Sequence, residues 1–177
     1  MRAIKEAVGR EVIWRPRSLL SRTFDLVERG ETDGDPFATL AWRPGFLMLG
    51  PAEARSAEGR WLIRRRGFFR EQVLVFAEGS DVPVATLQRY WRRGVLRLEG
   101  GRELVWRRES FWSTTHRFED MNGSAVVAFR HRFTFPRAST RVEIESSAPE
   151  GEAALLVCLG WYLLLLARRH AAARGAA

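Results

Sequence analysis

From Ala153 to Ala167 the chain reads Ala-Ala-Leu-Leu-Val-Cys-Leu-Gly-Trp-Tyr-Leu-Leu-Leu-Leu-Ala, fifteen residues without a charge. The flanks predict a helix over about 149–169. Pro149 suits a first turn, and Ser146 and Ser147 are capping candidates ahead of it. Glu150 and Glu152 stand at the positive end of the helix dipole, and Arg168, Arg169 and His170 at its negative end. Such a helix is apolar on all sides and must be buried on all sides, in lipid or in protein. Fifteen residues at about 1.5 Å each span roughly 22 Å, short of a hydrocarbon core of roughly 30 Å. Trp161 and Tyr162 fall mid-segment, whereas membrane helices carry these residues at the interfaces. Their N–H and O–H groups want partners that lipid cannot supply. Burial inside protein is therefore the first expectation. The alternative is a tail anchor formed by residues 153–167, which the C-terminal position, basic flank and short tail (170–177) would suit.

Ahead of this segment the chain reads as short strands separated by turn residues. Candidates are 12–14, 23–28, 37–42, 46–49, 61–65, 72–76, 84–90, 95–98, 104–107, 113–118, 125–135 and 141–145. About twelve strands at this spacing argue for a sandwich or a barrel. One hairpin can be registered: pairing Leu98 with Leu104 and Leu96 with Trp106 keeps the apolar faces together and leaves Gly100-Gly101-Arg102 as the loop. Asp35 to Trp42 is echoed by Val82 to Arg89, with a weaker third copy beginning at Gly123, which suggests repeated meanders.

The string of hairpins carrying Phe24-Asp-Leu-Val-Glu-Arg-Gly30, Phe37-Ala-Thr-Leu-Ala-Trp42 and Pro83-Val-Ala-Thr-Leu-Gln-Arg-Tyr-Trp91, closed by an all-apolar C-terminal helix, resembles the tubby-like C-terminal barrel superfamily. That group includes LURP-one-related proteins, phospholipid scramblases and small bacterial relatives. The likeness covers roughly residues 20–168. It implies a mostly β fold: a closed antiparallel β-barrel of about twelve strands, residues 12–145, around a central hydrophobic C-terminal α-helix, in one domain spanning 1–177. Inside a barrel, an all-round apolar helix meets inward-pointing side chains on every face. Tubby proteins bind phosphoinositides through a basic pocket, so the resemblance also implies an anionic-lipid partner. Scramblase hallmarks are missing here: the sequence has one cysteine, no Pro-rich arm and no Asp-rich calcium loop, so lipid scrambling is not implied.

Charge points the same way. The net charge is +8 with pI near 11.1, and Lys5 is the only lysine. Such a balance favours anionic partners: an anionic phospholipid or membrane surface, an acidic protein, or, ranked lower, nucleic acid. A GC-rich coding sequence produces the same arginine excess. The clusters are Arg64-Arg65-Arg66 with Arg70, Arg89-Tyr90-Trp91-Arg92-Arg93, Arg107-Arg108, and Arg130-His131-Arg132. Candidate anion-binding residues are Arg64, Arg65, Arg66, Arg70, Arg92, Arg93, Arg130 and Arg132, with Arg64 to Arg66 foremost because arginines at a strand end can converge on one anion. Tyr90 and Trp91 suit a headgroup layer or a stacked base. Alternation puts Phe129, His131, Phe133 and Phe135 on one face and Arg130 and Arg132 on the solvent face.

Catalytic chemistry finds little support, and no cofactor or metal is expected. His116 with Glu119 and Asp120 matches no metal-ligand spacing, and a turn with capping acids is the simpler reading. His131 reads as a satisfied core histidine. Ser113-Thr114-Thr115 has no nucleophile context, and Cys158 lies in an apolar segment where a thiol is inert. The N-terminus, Met1-Arg-Ala-Ile-Lys5 followed by Glu6, Arg10 and Glu11, contains no signal-peptide core. The expected compartment is the cytoplasm or its membrane face, with a monomer as the default state. The expected function is a non-enzymatic binding module for anionic headgroups or an acidic partner surface, with a tail-anchored β-domain and a nucleic-acid-binding barrel as alternatives.

Overall fold

A computed structural model describes residues 1–18, 21–31, 34–43, 50–67, 71–90, 93–110, 113–132, 139–145 and 148–175. Within them the chain forms one closed antiparallel barrel in which every strand pairs with its neighbour in sequence. The strands are β1 (Val12–Pro16), β2 (Thr23–Glu28), β3 (Ala38–Trp42), β4 (Ala52–Ser56), β5 (Arg60–Arg66) and β6 (Gln72–Ala77), followed by β7 (Pro83–Arg89), β8 (Arg93–Leu98), β9 (Glu103–Arg108), β10 (Thr115–Glu119), β11 (Ala125–Arg132) and β12 (Ser139–Ile144). β1 closes the ring on β12, with Val12 opposite Val142 and Trp14 opposite Thr140.

The C-terminal helix α1 (Glu150–Gly175) is the axle of this ring. Ala153 to Leu166 are all buried, and the helix packs against β3 and β4 on one side and β10 and β11 on the other. A helix with no polar stripe fits only such a place, because strands meet each of its faces. Alternation along the strands supplies the inner surface: Ala38, Leu40 and Trp42 on β3, Ala52 and Ala54 on β4, Val73 and Val75 on β6, Phe129 on β11. Trp161 stacks on Trp14 with ring centres 5.6 Å apart, and Tyr162 stacks on Trp42 at 4.8 Å. The aromatic pair at mid-helix thus finds barrel aromatics. The expected hydrogen-bond partner for the indole is not what holds it: among the described residues, Trp161 Nε1 has none. By length and composition alone, Gly151–Ala171 would suffice to cross a membrane.

Several local expectations shift. The strand expected at 46–49 lies outside the described residues, and the strand after β3 is Ala52–Ser56, which periodicity did not flag. Its inward positions are Ala, Ala and Ser, too small to register as an apolar stripe. The hairpin of β8 and β9 pairs Leu96 with Leu104 and Gly94 with Trp106, two residues from the expected register. Gly100 and Gly101 both adopt positive φ, 91° and 83°, so the turn closes tightly and Leu98 bonds to Arg102. A two-residue shift preserves which side chains face inward. The helix also runs on to residue 175, so the expected tail is mostly helical.

Candidate anion site at the open mouth of the barrel

The two ends of the barrel differ. At the end where α1 begins, a short 3-10 turn (Ile4–Ala7) packs on the helix, burying Ile4 and Ala7 beside Phe37. The backbone N–H of Ile4 donates to Glu58 Oε1 at 2.6 Å, fixing this plug to the β4–β5 turn. At the other end, odd-numbered strands finish, even-numbered strands begin, and the helix emerges. There a cavity of about 450 Å³ opens between the rim of β7 to β10 and the helix.

Alternation and helical position account for much of the lining, but Arg93, paired with outward Arg107 while Gly94 and Leu96 face in, reaches it from the outer face at the start of β8. Arg89 is the last inward-facing residue of β7, Trp106 and Arg108 are inward on β9, and His116 is inward on β10, opposite both Phe129 and Arg108. Arg93 and Tyr90 stand at the rim, both exposed. Leu163, Leu164 and Ala167 of α1 form the floor. His116 lies against Trp106 with ring centres 5.5 Å apart. Burial lowers its pKa to about 4, aided by the positive charge of Arg108 and offset in part by a backbone hydrogen bond at Thr114. The imidazole is therefore neutral at neutral pH, and the positive charge here belongs to guanidinium groups.

What marks this mouth is that arginines lacking a carboxylate partner gather around a cavity. On the wall, many arginines are matched by carboxylates: Arg130 with Glu143 at 2.9 Å, Arg97 with Glu103 at 2.7 Å, Arg60 with Glu78 at 3.3 Å, and Arg43 with Glu53; Arg64 and Arg66 on the outer face have no carboxylate partner among the described residues. At the mouth, Arg89 and Arg65 share one carboxylate, Glu71, at 2.7 and 3.3 Å. Arg93 and Arg108 have no carboxylate partner among the described residues; Arg108 donates to the Ser113 carbonyl. Guanidinium forks left uncompensated beside an apolar floor are suited to holding an anion.

Of the residues singled out from sequence, Arg93 lines this cavity and Arg65 adjoins it through Glu71. Arg64 to Arg66 do not converge. Strand alternation turns Arg65 inward, opposite buried Val73 and within 3.3 Å of His170 Nε2, and leaves Arg64 and Arg66 exposed on the outer face. Arg64 lies over the Phe76 ring at 5.6 Å, in a shallow wall depression whose arginines alternate with Glu53, Glu78 and Asp81. Arg130 is exposed and paired on the wall. Arg70 and Arg92 lie outside the described residues, as does the side chain of Arg132. Arg89 and Arg108 stood in the clusters but were not chosen, and Trp106, His116 and the helix floor were missed. They meet only through strand pairing and helix insertion, which leave no signal in local spacing.

The remaining polar candidates have structural roles. Asp120 Oδ1 accepts from the backbone N–H groups of Asn122 and Ser124, a turn-capping acid. Glu119 is buried between Arg107 and Arg117. His131 is half-buried, with Nδ1 in hydrogen-bond range of Thr140 Oγ1 (3.1 Å) and the Arg168 guanidinium (2.9 Å). Cys158 is buried, and burial pushes its thiol pKa well above the ordinary value. Among the described residues no group of three or more His, Cys, Asp or Glu side chains is placed to hold a metal. No protein-family model, no curated protein and no solved structure matches this chain.

Proposed function

We propose that this chain is a small tubby-like barrel acting as a non-enzymatic binding module, which takes anionic lipid headgroups at the cytoplasmic face of a membrane through its open mouth. Twelve antiparallel strands in sequential order around one C-terminal helix support the superfamily reading. The observation that carries the binding reading is that Arg93 and Arg108, without a carboxylate partner among the described residues, stand together at one cavity beside an apolar helix floor. Arginine at a membrane surface gains from both headgroup phosphate and surface potential.

The test is sedimentation with neutral vesicles and with vesicles containing phosphatidylserine. Each basic side chain near an anionic surface contributes about 1 kcal/mol, so Arg93→Glu with Arg108→Glu should weaken binding at least about thirtyfold. Arg64→Glu with Arg130→Glu, on the wall, should change it less than about threefold. Equal loss in both pairs would mean a diffuse charge effect. A protein indifferent to anionic vesicles at low salt would overturn the lipid reading and leave an acidic protein surface as the partner to seek.

A further inference from the structure

We infer that the mouth cavity is built for an amphiphilic anion, one molecule that carries both an apolar chain and an anionic head, rather than for a bare headgroup. This rests on the reading of the mouth as an anion site and adds what the site does below its rim. The guanidinium groups of Arg89, Arg93 and Arg108 stand at the rim strands, while Trp106, Leu163 and Leu164 supply an apolar wall and floor. Simple anion sites present polar donors on several sides; here the charged donors are confined to the upper part, and among the lining residues below them only the Trp106 indole N–H and the uncharged His116 imidazole are polar. His116 adds an imidazole that is polar but uncharged, stacked on Trp106. At about 450 Å³ the cavity falls in the size range of small-molecule sites, well beyond what one phosphate group fills. Ala167, the exposed helix residue at the floor, leaves the way in open where a larger side chain would close it.

The probe is decyl phosphate below its micelle concentration, compared with inorganic phosphate and with decyltrimethylammonium by calorimetry. Each buried methylene is worth about a factor of four, so burying three or more makes decyl phosphate at least about fiftyfold tighter than inorganic phosphate. The cationic analogue, with the same chain, should bind at least about tenfold more weakly than decyl phosphate. Ala167→Trp should remove the chain's advantage while melting like wild type. An anion seated by Arg108 should also raise the NMR titration midpoint of His116, a readout that chain adsorption elsewhere would not move. Decyl phosphate binding no tighter than inorganic phosphate, with anionic vesicles still bound, would overturn this inference and leave the headgroup reading standing. Loss of vesicle binding and of both phosphates together would overturn both. Equal affinity for the cationic analogue would reduce the cavity to a grease site and refute the anionic head.

Discussion

His116 sits where burial against Trp106 and the charge of Arg108 lower its pKa from 6.5 to about 4. A histidine held neutral in the fold contributes stability that is complete above pH 6.5 and is lost as the pH falls toward 4, because the unfolded chain takes up the proton first. From the size of the shift, about 2 kcal/mol should disappear between pH 7 and pH 4.5. His116→Phe keeps a ring against Trp106 and cannot titrate, so its stability should lose that much less over the same interval in denaturant unfolding. If wild type and variant lose stability in parallel, other groups carry the acid response. At this scale sequence was a partial guide. The arginine-rich stretches were legible as charge, and Arg93, one of the arginines singled out within them, lines the mouth cavity. Which arginines were already matched by glutamates was not legible, because Arg130 meets Glu143 and Arg89 meets Glu71 only across strand pairs.

Between elements, fit rather than pattern decides. The axle was visible as a charge-free run with capped ends, and alternation located most strands. β4 escaped because a strand lying close to the helix presents Ala52 and Ala54, whose small size leaves room for the helix but no hydrophobic signal. Gly160 shows the same constraint from the other side. A Cβ added there would run into the ring of Phe129, which is itself fully buried. Gly160→Ala would ordinarily favour a helix by about 1 kcal/mol. Here overpacking should outweigh that, giving a net loss of about 1–3 kcal/mol in thermal or chemical unfolding. Phe129→Leu should recover part of the loss in the double variant, since the two side chains compete for one space. A Gly160→Ala protein more stable than wild type would show that the helix can shift away from β11.

Over the whole molecule, the barrel has a closed acidic end and an open basic one. The turns around the plug carry Glu58, Glu78, Asp81, Glu99 and Asp120, whereas Arg89, Arg93, Arg108 and Arg168 gather where the helix leaves. On the reading proposed above, a molecule polarised in this way would meet an anionic surface with its basic end.

The same architecture makes the helix and the barrel interdependent. Trp14, Trp42 and Phe129 line a space that only α1 fills, so a chain cut before Glu150 would open its apolar interior to water. The truncated protein should aggregate or fail to fold, while the full chain should be released from membranes by alkaline carbonate. Cys158, buried at the helix centre, makes the full-length case measurable. Its reaction with a thiol reagent should proceed no faster than global unfolding, both in solution and with anionic vesicles bound. A tail-anchored protein would give the opposite pattern: a folded, soluble 1–149 fragment, a full chain that resists carbonate, and a helix that leaves the barrel for lipid without the barrel unfolding.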